Sequence, residues 1–186
     1  MNPPSQTQEL ETGLIGGPEK CRITIHDYDA TWPKKFRAHA NIISNALDTA
    51  ALQIEHIGST SVPGLAAKPI IDILLVVENS ANEASYVPAL ADAGYQLRVR
   101  EPDFDEHRMM RTGEKDVHIH VFSPGSDEID RYLLFRDRLR KSPQDRSRYE
   151  ALKRSLANRD WDDMNDYAKA KSQVVESIIA AGRRNE

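Results

Sequence analysis

The chain has 186 residues, 39% hydrophobic and 29% charged, which suffices for one domain with a buried core and no disulfide staples. A net charge of −4 argues against bulk electrostatic binding of nucleic acid. Cys21, the one cysteine, excludes an intrachain disulfide and a cysteine-built metal cluster. No run approaches about eighteen apolar residues, so no membrane helix is expected. With no basic-then-apolar leader either, the expected compartment is the cytoplasm.

Residues 1–20 contain Pro3, Pro4, Gly13, Gly16, Gly17 and Pro18 with little periodicity. They read as a flexible tail, leaving 21–186 as a single domain. Cys21–His26 alternates weakly, as a short edge strand would. Thr31-Trp32-Pro33 places a cap candidate before a first-turn proline, and Phe36, Ala40, Ile43 and Leu47 follow at helical spacing. Gln53–Ile57 predicts a short strand ending at Gly58, followed by a turn-rich stretch to Pro69, where a short helix opening near Pro63 would favour an anion. Ile70–Val77 is apolar apart from Asp72, the pattern of a strand buried on both faces. A helix is expected over Asn82–Ala93, stopped by Gly94. Three strands follow. Tyr95–Arg100 alternates Tyr95, Leu97 and Val99 against Gln96, Arg98 and Arg100; His107–Thr112 comes next; Val117–Phe122 alternates Val117, Ile119 and Val121 against His118, His120 and Phe122. After Pro124-Gly125-Ser126, Asp127 and Glu128 suit a helix N-terminus. That helix runs to Lys141, with two more near Gln144–Asn158 and Met164–Ala181, where Gly182 is a plausible stop. The expected fold is a mixed α/β core followed by a helical part over 126–182.

Three features carry chemistry. In Gly58-Ser59-Thr60-Ser61, a glycine after a strand lets backbone N–H groups approach a ligand, and three hydroxyls add donors. Such a turn can cradle phosphate, or be an ordinary surface turn. Asp72 is costly inside an apolar strand unless paired or metal-bound. It is therefore a metal ligand or the partner of a nearby Arg or Lys. Strand parity puts Leu74, not a second acid, on the same face. His118 and His120 also share a face, roughly 7 Å apart. Neutral imidazoles at that spacing can share a metal or bind phosphate, or form an exposed polar face. His107 and Arg108, one strand earlier, can join that surface.

Gly58-Ser59, then Asp72 in a hydrophobic strand, resembles the signature of the nucleotidyltransferase superfamily. The wider run from Ile54 through His56-Ile57-Gly58-Ser59-Thr60-Ser61-Val62-Pro63-Gly64 to Asp72-Ile73 is similar to the GrpB family. So are Tyr28–Trp32, His118-Ile119-His120-Val121, Leu134-Phe135-Arg136-Asp137-Arg138-Leu139-Arg140 and Tyr149–Leu156. The resemblance covers roughly residues 22 to 178. It implies a nucleotidyltransferase-like mixed sheet flanked by helices. It also implies a nucleoside triphosphate held with Mg²⁺ or Mn²⁺, and transfer of a nucleotidyl group to an acceptor. Gly58, Ser59, Thr60, Ser61, Lys68 and Arg108 would hold phosphate, with Lys171 a weaker counterpart of a triphosphate-binding lysine. Asp72 and His120 would be catalytic. Asp72, Glu55, His118 and His120 would be the metal ligands, with Glu55 or His120 standing in for a missing third acid. Leu74 occupies the place of the second acid, which favours as the alternative a non-catalytic binder of a nucleotide or phosphometabolite. Some family members carry a dephospho-CoA kinase domain, which points towards coenzyme A metabolism. Nucleic acid is the remaining candidate partner. Arg131, Arg136, Arg138, Arg140, Lys141, Arg146, Arg148, Lys153 and Arg154 interleave with Asp130, Asp137, Asp145 and Glu150, the look of a solvated helix face.

Overall fold

A computed structural model describes residues 13–17, 19, 23–159, 161 and 164–184. Helix α1 spans Trp32–Leu47, with Pro33 in its first turn. The Thr31 N–H donates to Asp29 Oδ1 at 2.7 Å just ahead of it. Strand β1, Gln53–Ile57, leads into a single 3₁₀ turn over Ser59–Ser61. Strand β2, Ile71–Val76, follows after a loop. Residues 53–57 form the strand expected of them, and β2 is buried on both faces apart from Asp72.

The helix expected over Asn82–Ala93 is shorter. A 3₁₀ turn covers Glu83–Ser85, and α2 spans only Val87–Asp92. Pro88 is the reason: it lacks an N–H, and its ring crowds the preceding turn, so it is tolerated only near a helix start. Strands β3 (Tyr95–Glu101), β4 (His107–Thr112) and β5 (Val117–Phe122) come next. Three helices close the chain: α3 (Asp127–Lys141), α4 (Pro143–Ala157) and α5 (Met164–Arg183). Ser126 Oγ caps α3 by accepting from the Glu128 N–H, and Ser142 Oγ caps α4 by accepting from Asp145. Gly182 does not stop α5, which runs through it.

The five strands form one mixed sheet in the order β1-β2-β5-β4-β3, with β2 and β5 parallel and the other neighbours antiparallel. Ile71, Ile73 and Leu75 of β2, Ile119 and Val121 of β5 and Met110 of β4 pack on one face beneath Trp32, Ile43 and Leu90. Each such fully buried side chain contributes about 1.5–3 kcal/mol. On the other face, Ile57, Leu74, Val76 and Phe122 meet Ile129, Tyr132 and Leu133 of α3. Helices α3, α4 and α5 then share a core of Leu139, Tyr149 and Ile178 with Val62 and Leu65 from the loop before β2. Helix α3 therefore covers only part of the second face, and the ends of β2 and β5 that carry Asp72 and His118 open into a cavity.

Two edges differ from expectation. Within Cys21–His26, residues 21 and 22 lie outside the described set, and the rest makes one bridge, His26 to Ala67, rather than a strand. The segment read as tail is not all loose. Leu14 bridges Val99, Ile15 N–H donates to the Arg98 carbonyl and Arg100 N–H to that of Gly13, so residues 13–15 line the outer edge of β3. Glu19 meets Arg111 at 2.7 Å and Lys115 at 2.9 Å. Residues 1–12, 18 and 20 lie outside the described residues.

Candidate functional site

Register explains why three donors converge. Asp72 pairs with His118 across the parallel β2–β5 seam, and Leu74 with His120. Paired residues share a face, so Asp72, His118 and His120 stand together. His118 Nδ1 and His120 Nε2 each lie 3.7 Å from Asp72 Oδ1. One donor atom from each residue lies within 4.8 Å of the others. Burial pushes the His118 imidazole down to about 4, so it is neutral near pH 7. Burial works to raise Asp72, but its proximity to His120, His118 and Lys171 outweighs that and holds it below the usual carboxylate range.

Gly58 forms the floor beside Asp72. Its φ of 67° and ψ of −172° belong to a region that side chains avoid. A Cβ there would stand 3.0 Å from the Asp72 Cβ and closer still to Oδ2. Of the hydroxyls expected to bind phosphate, only that of Ser59 lines the cavity. Thr60 Oγ1 donates to the Ile70 carbonyl at 2.9 Å and accepts from His56 Nε2 at 3.1 Å. Ser61 Oγ donates to the Gly58 carbonyl at 2.6 Å. Both side chains are buried and spent on holding the turn, because a one-turn 3₁₀ segment must close its own polar groups.

The cavity, about 570 Å³, is lined by Gly58, Ser59, Asp72, His118, His120, Tyr132 and Lys171 among others. Tyr132 of α3 lies over His120, with ring centroids 5.6 Å apart. Burial raises its phenol well above the ordinary tyrosine range, so it stays protonated. Lys171 enters from α5. Burial pushes its amine down to about 8, while the Asp72 charge works the other way. Lys68 is partly exposed and does not line the cavity, although its charge disfavours protonation of His118 and Lys171.

Two expected members stand elsewhere. Arg108 pairs with Val121, which puts it on the opposite face of the sheet. There its Nε donates to Glu83 at 2.7 Å and its Nη2 to Glu106 at 3.1 Å. It cannot reach the Asp72 cavity. Glu55 shares the Asp72 face but lies outside the triad. Arg136 of α3 holds it at 2.7 Å and also donates to the His56 carbonyl at 3.2 Å. Glu55 lines a second cavity, with Arg136, Arg140 and Arg146. The basic stretch 131–154 is heavily ion-paired: Arg131 to Glu128, Arg138 to Asp145, Arg140 to Asp137 and Arg154 to Glu150.

A further chain of polar contacts was not foreseen. Glu101 Oε2 accepts from His107 Nδ1 at 2.7 Å, and His107 Nε2 meets His120 Nδ1 at 3.1 Å. Strict alternation along β3 would set Glu101 and Val99 on the hydrophobic face with Leu97. The register shift between Leu97 and Val99 turns both to the other face and seats Glu101 opposite His107. Burial lowers the affinity of His107 for a second proton, against the pull of Glu101.

A UPF0157 protein of Halalkalibacterium halodurans is 50% identical over 95% of this chain and 91% of its own length. The crystal structure of the conserved protein GrpB from Enterococcus faecalis superposes with a TM-score of 0.78 at 32% identity, covering 87% of this chain and 98% of that one. A longer protein of Mycolicibacterium paratuberculosis, named dephospho-CoA kinase, is 31% identical over 77% of this chain and 42% of its own. The family model described as GrpB protein matches residues 22–181. The chain therefore belongs to the GrpB family.

Proposed function

We propose that this chain binds the phosphate groups of a nucleotide between Ser59 and Lys171, beside a divalent cation held at Asp72, and transfers the nucleotidyl group to an acceptor. The observation that carries this reading is how closely the Asp72 side chain approaches Gly58, where an added Cβ would overlap the carboxylate. It joins the Gly58-Ser59 turn to an acid in one cavity. Ser59 supplies a hydroxyl donor there, and Lys171 a cation that suits a phosphate dianion. Tyr132, kept protonated, adds an O–H donor. Asp72 and His120 border the reacting phosphorus in this reading.

A pair of Mg²⁺ ions does not fit these residues. Mg²⁺ takes oxygen donors in near-octahedral geometry, and here one carboxylate stands with two imidazoles. Leu74, fully buried, fills the second acid position, and Glu55 belongs to Arg136. Of the two cations expected, Mn²⁺ suits a mixed nitrogen and oxygen set. A bound cation supplies charge neutralisation on phosphate oxygens.

Leu74 favours the second reading, a binder without turnover. The dephospho-CoA kinase name of one relative adds coenzyme A precursors to the candidate ligands. Thermal-shift screens of nucleotides and these precursors with Mn²⁺ test the site, with Asp72→Ala and Ser59→Ala alongside. Stabilisation lost in both variants supports it, and stabilisation surviving both removes it. Pyrophosphate released from nucleoside triphosphates marks transfer; binding without release marks the second reading.

A further inference from the structure

We infer that Asp72, His118 and His120 form a site for one first-row transition-metal ion, in the range Mn²⁺ to Zn²⁺, oriented by His107 and Glu101. The inference deepens the cation part of the proposed function and rests on that reading of Asp72.

The spacing of the donors comes first. Both imidazole nitrogens lie 3.7 Å from Asp72 Oδ1, too far for a hydrogen bond. Two ligands about 2.0–2.1 Å from a tetrahedral ion stand roughly 3.4 Å apart. These two separations are a few tenths of an ångström wider than in a loaded site, and the three donor atoms all lie within 4.8 Å of one another.

The proton positions give an independent argument. Glu101 Oε2, an acceptor, lies 2.7 Å from His107 Nδ1, so that nitrogen carries the hydrogen. In the neutral imidazole, Nε2 of His107 then has a lone pair. The 3.1 Å contact to His120 Nδ1 requires His120 to donate. A neutral His120 that donates from Nδ1 has a bare Nε2 towards the Asp72 carboxylate. Two lone pairs facing each other across 3.7 Å repel, and a cation between them turns that repulsion into coordination. Metal-binding histidines usually have the other ring nitrogen fixed in this way by an outer carboxylate or carbonyl. The β3 bulge that turns Glu101 onto this face serves that end.

The donor set then selects the ion. Two imidazoles and one carboxylate match the ligand types of mononuclear transition-metal sites with open positions. As neutral ligands His118 and His120 leave the triad one negative charge, and the other carboxylates lining the cavity, Glu128 and Glu176, are ion-paired with Arg131. The open positions face the cavity that Ser59, Tyr132 and Lys171 line.

The test uses the full chain, stripped with chelator and titrated with Co²⁺, followed by visible absorption and calorimetry without nucleotide. The expected result is one Co²⁺ per chain, displaced by stoichiometric Zn²⁺ and not by millimolar Mg²⁺. His118→Ala and His120→Ala lose the bands. His107→Leu weakens binding roughly 10–100-fold while keeping one Co²⁺ per chain, and Glu101→Gln weakens it less. His39→Ala, away from the cluster, controls for adventitious histidine binding and leaves the titration unchanged. Circular dichroism of each metal-free variant shows that it folds. No stoichiometric Co²⁺, or a titration indifferent to His118→Ala and His120→Ala in folded protein, overturns the inference. So does displacement by Mg²⁺. Stoichiometric metal without nucleotide binding leaves this inference standing and removes the nucleotide reading.

Discussion

Replacing Gly58 with alanine attacks the junction on which the site depends. The backbone there, φ 67° and ψ −172°, costs a non-glycine residue about 1–3 kcal/mol. The new Cβ also meets Asp72, 3.0 Å from its Cβ and closer to Oδ2. Since β2 is packed on both faces, relief requires the carboxylate to turn away, at about 1–3 kcal/mol more. The sum, roughly 2–6 kcal/mol, lowers the melting temperature by about 4–24 °C for a chain of this size. Gly64→Ala is the control: its φ is also positive, but nothing lies within 4 Å of its Cβ, so only the strain remains. The assay is urea unfolding of both variants followed by circular dichroism, with Co²⁺ titration of the folded protein. Gly58→Ala should lose more stability than Gly64→Ala and bind metal more weakly. Equal destabilisation of the two, with metal binding intact, refutes the argument that Gly58 is held by Asp72.

Other consequences follow from the packing. Arg136→Met leaves Glu55 and the His56 carbonyl without their partner and should cost about 1–3 kcal/mol in urea unfolding; an unchanged midpoint contradicts the role given to Arg136. Burial pushes Lys153 from 10.5 down to about 7, with its ammonium donating to the Ala66 carbonyl. Between these values the unfolded chain holds more protons than the folded one, so stability rises with pH from about 7 to 10.5. Lys153→Met flattens that rise, leaving the part due to Lys171, and a slope unchanged by the substitution speaks against the shift. Lys171→Ala should weaken nucleotide binding roughly tenfold, the loss of one charged hydrogen bond, with little change in melting temperature. Arg108→Ala, on the other sheet face, should do the reverse.

Much of this was legible in the sequence because it is local. Strands 53–57, 107–112 and 117–122 and the helix from Asp127 follow from alternation, turn residues and caps. The pairing of His118 with His120 needs only strand parity. What escaped depends on register between elements distant in sequence. Nothing in Glu101 or His107 announces that a one-residue bulge will set them in line with His120. Parity alone cannot tell that Arg108 faces away from Asp72, since strand β4 is offset by its partner and not by its own composition. Thr60 and Ser61 look like ligand donors until the 3₁₀ turn takes both hydroxyls. The helix at Asn82 fails on a single proline that the periodicity overlooks.

The central claim is that a phosphate ligand and a cation meet at Asp72. Calorimetric titration of a nucleoside triphosphate into the Mn²⁺-loaded chain, repeated with chelator and with Asp72→Asn, tests it most directly. The account predicts measurable binding that weakens at least about tenfold, or roughly 1.4 kcal/mol, both on removal of the metal and in the variant. Equal affinity with and without Mn²⁺, or in Asp72→Asn, contradicts it.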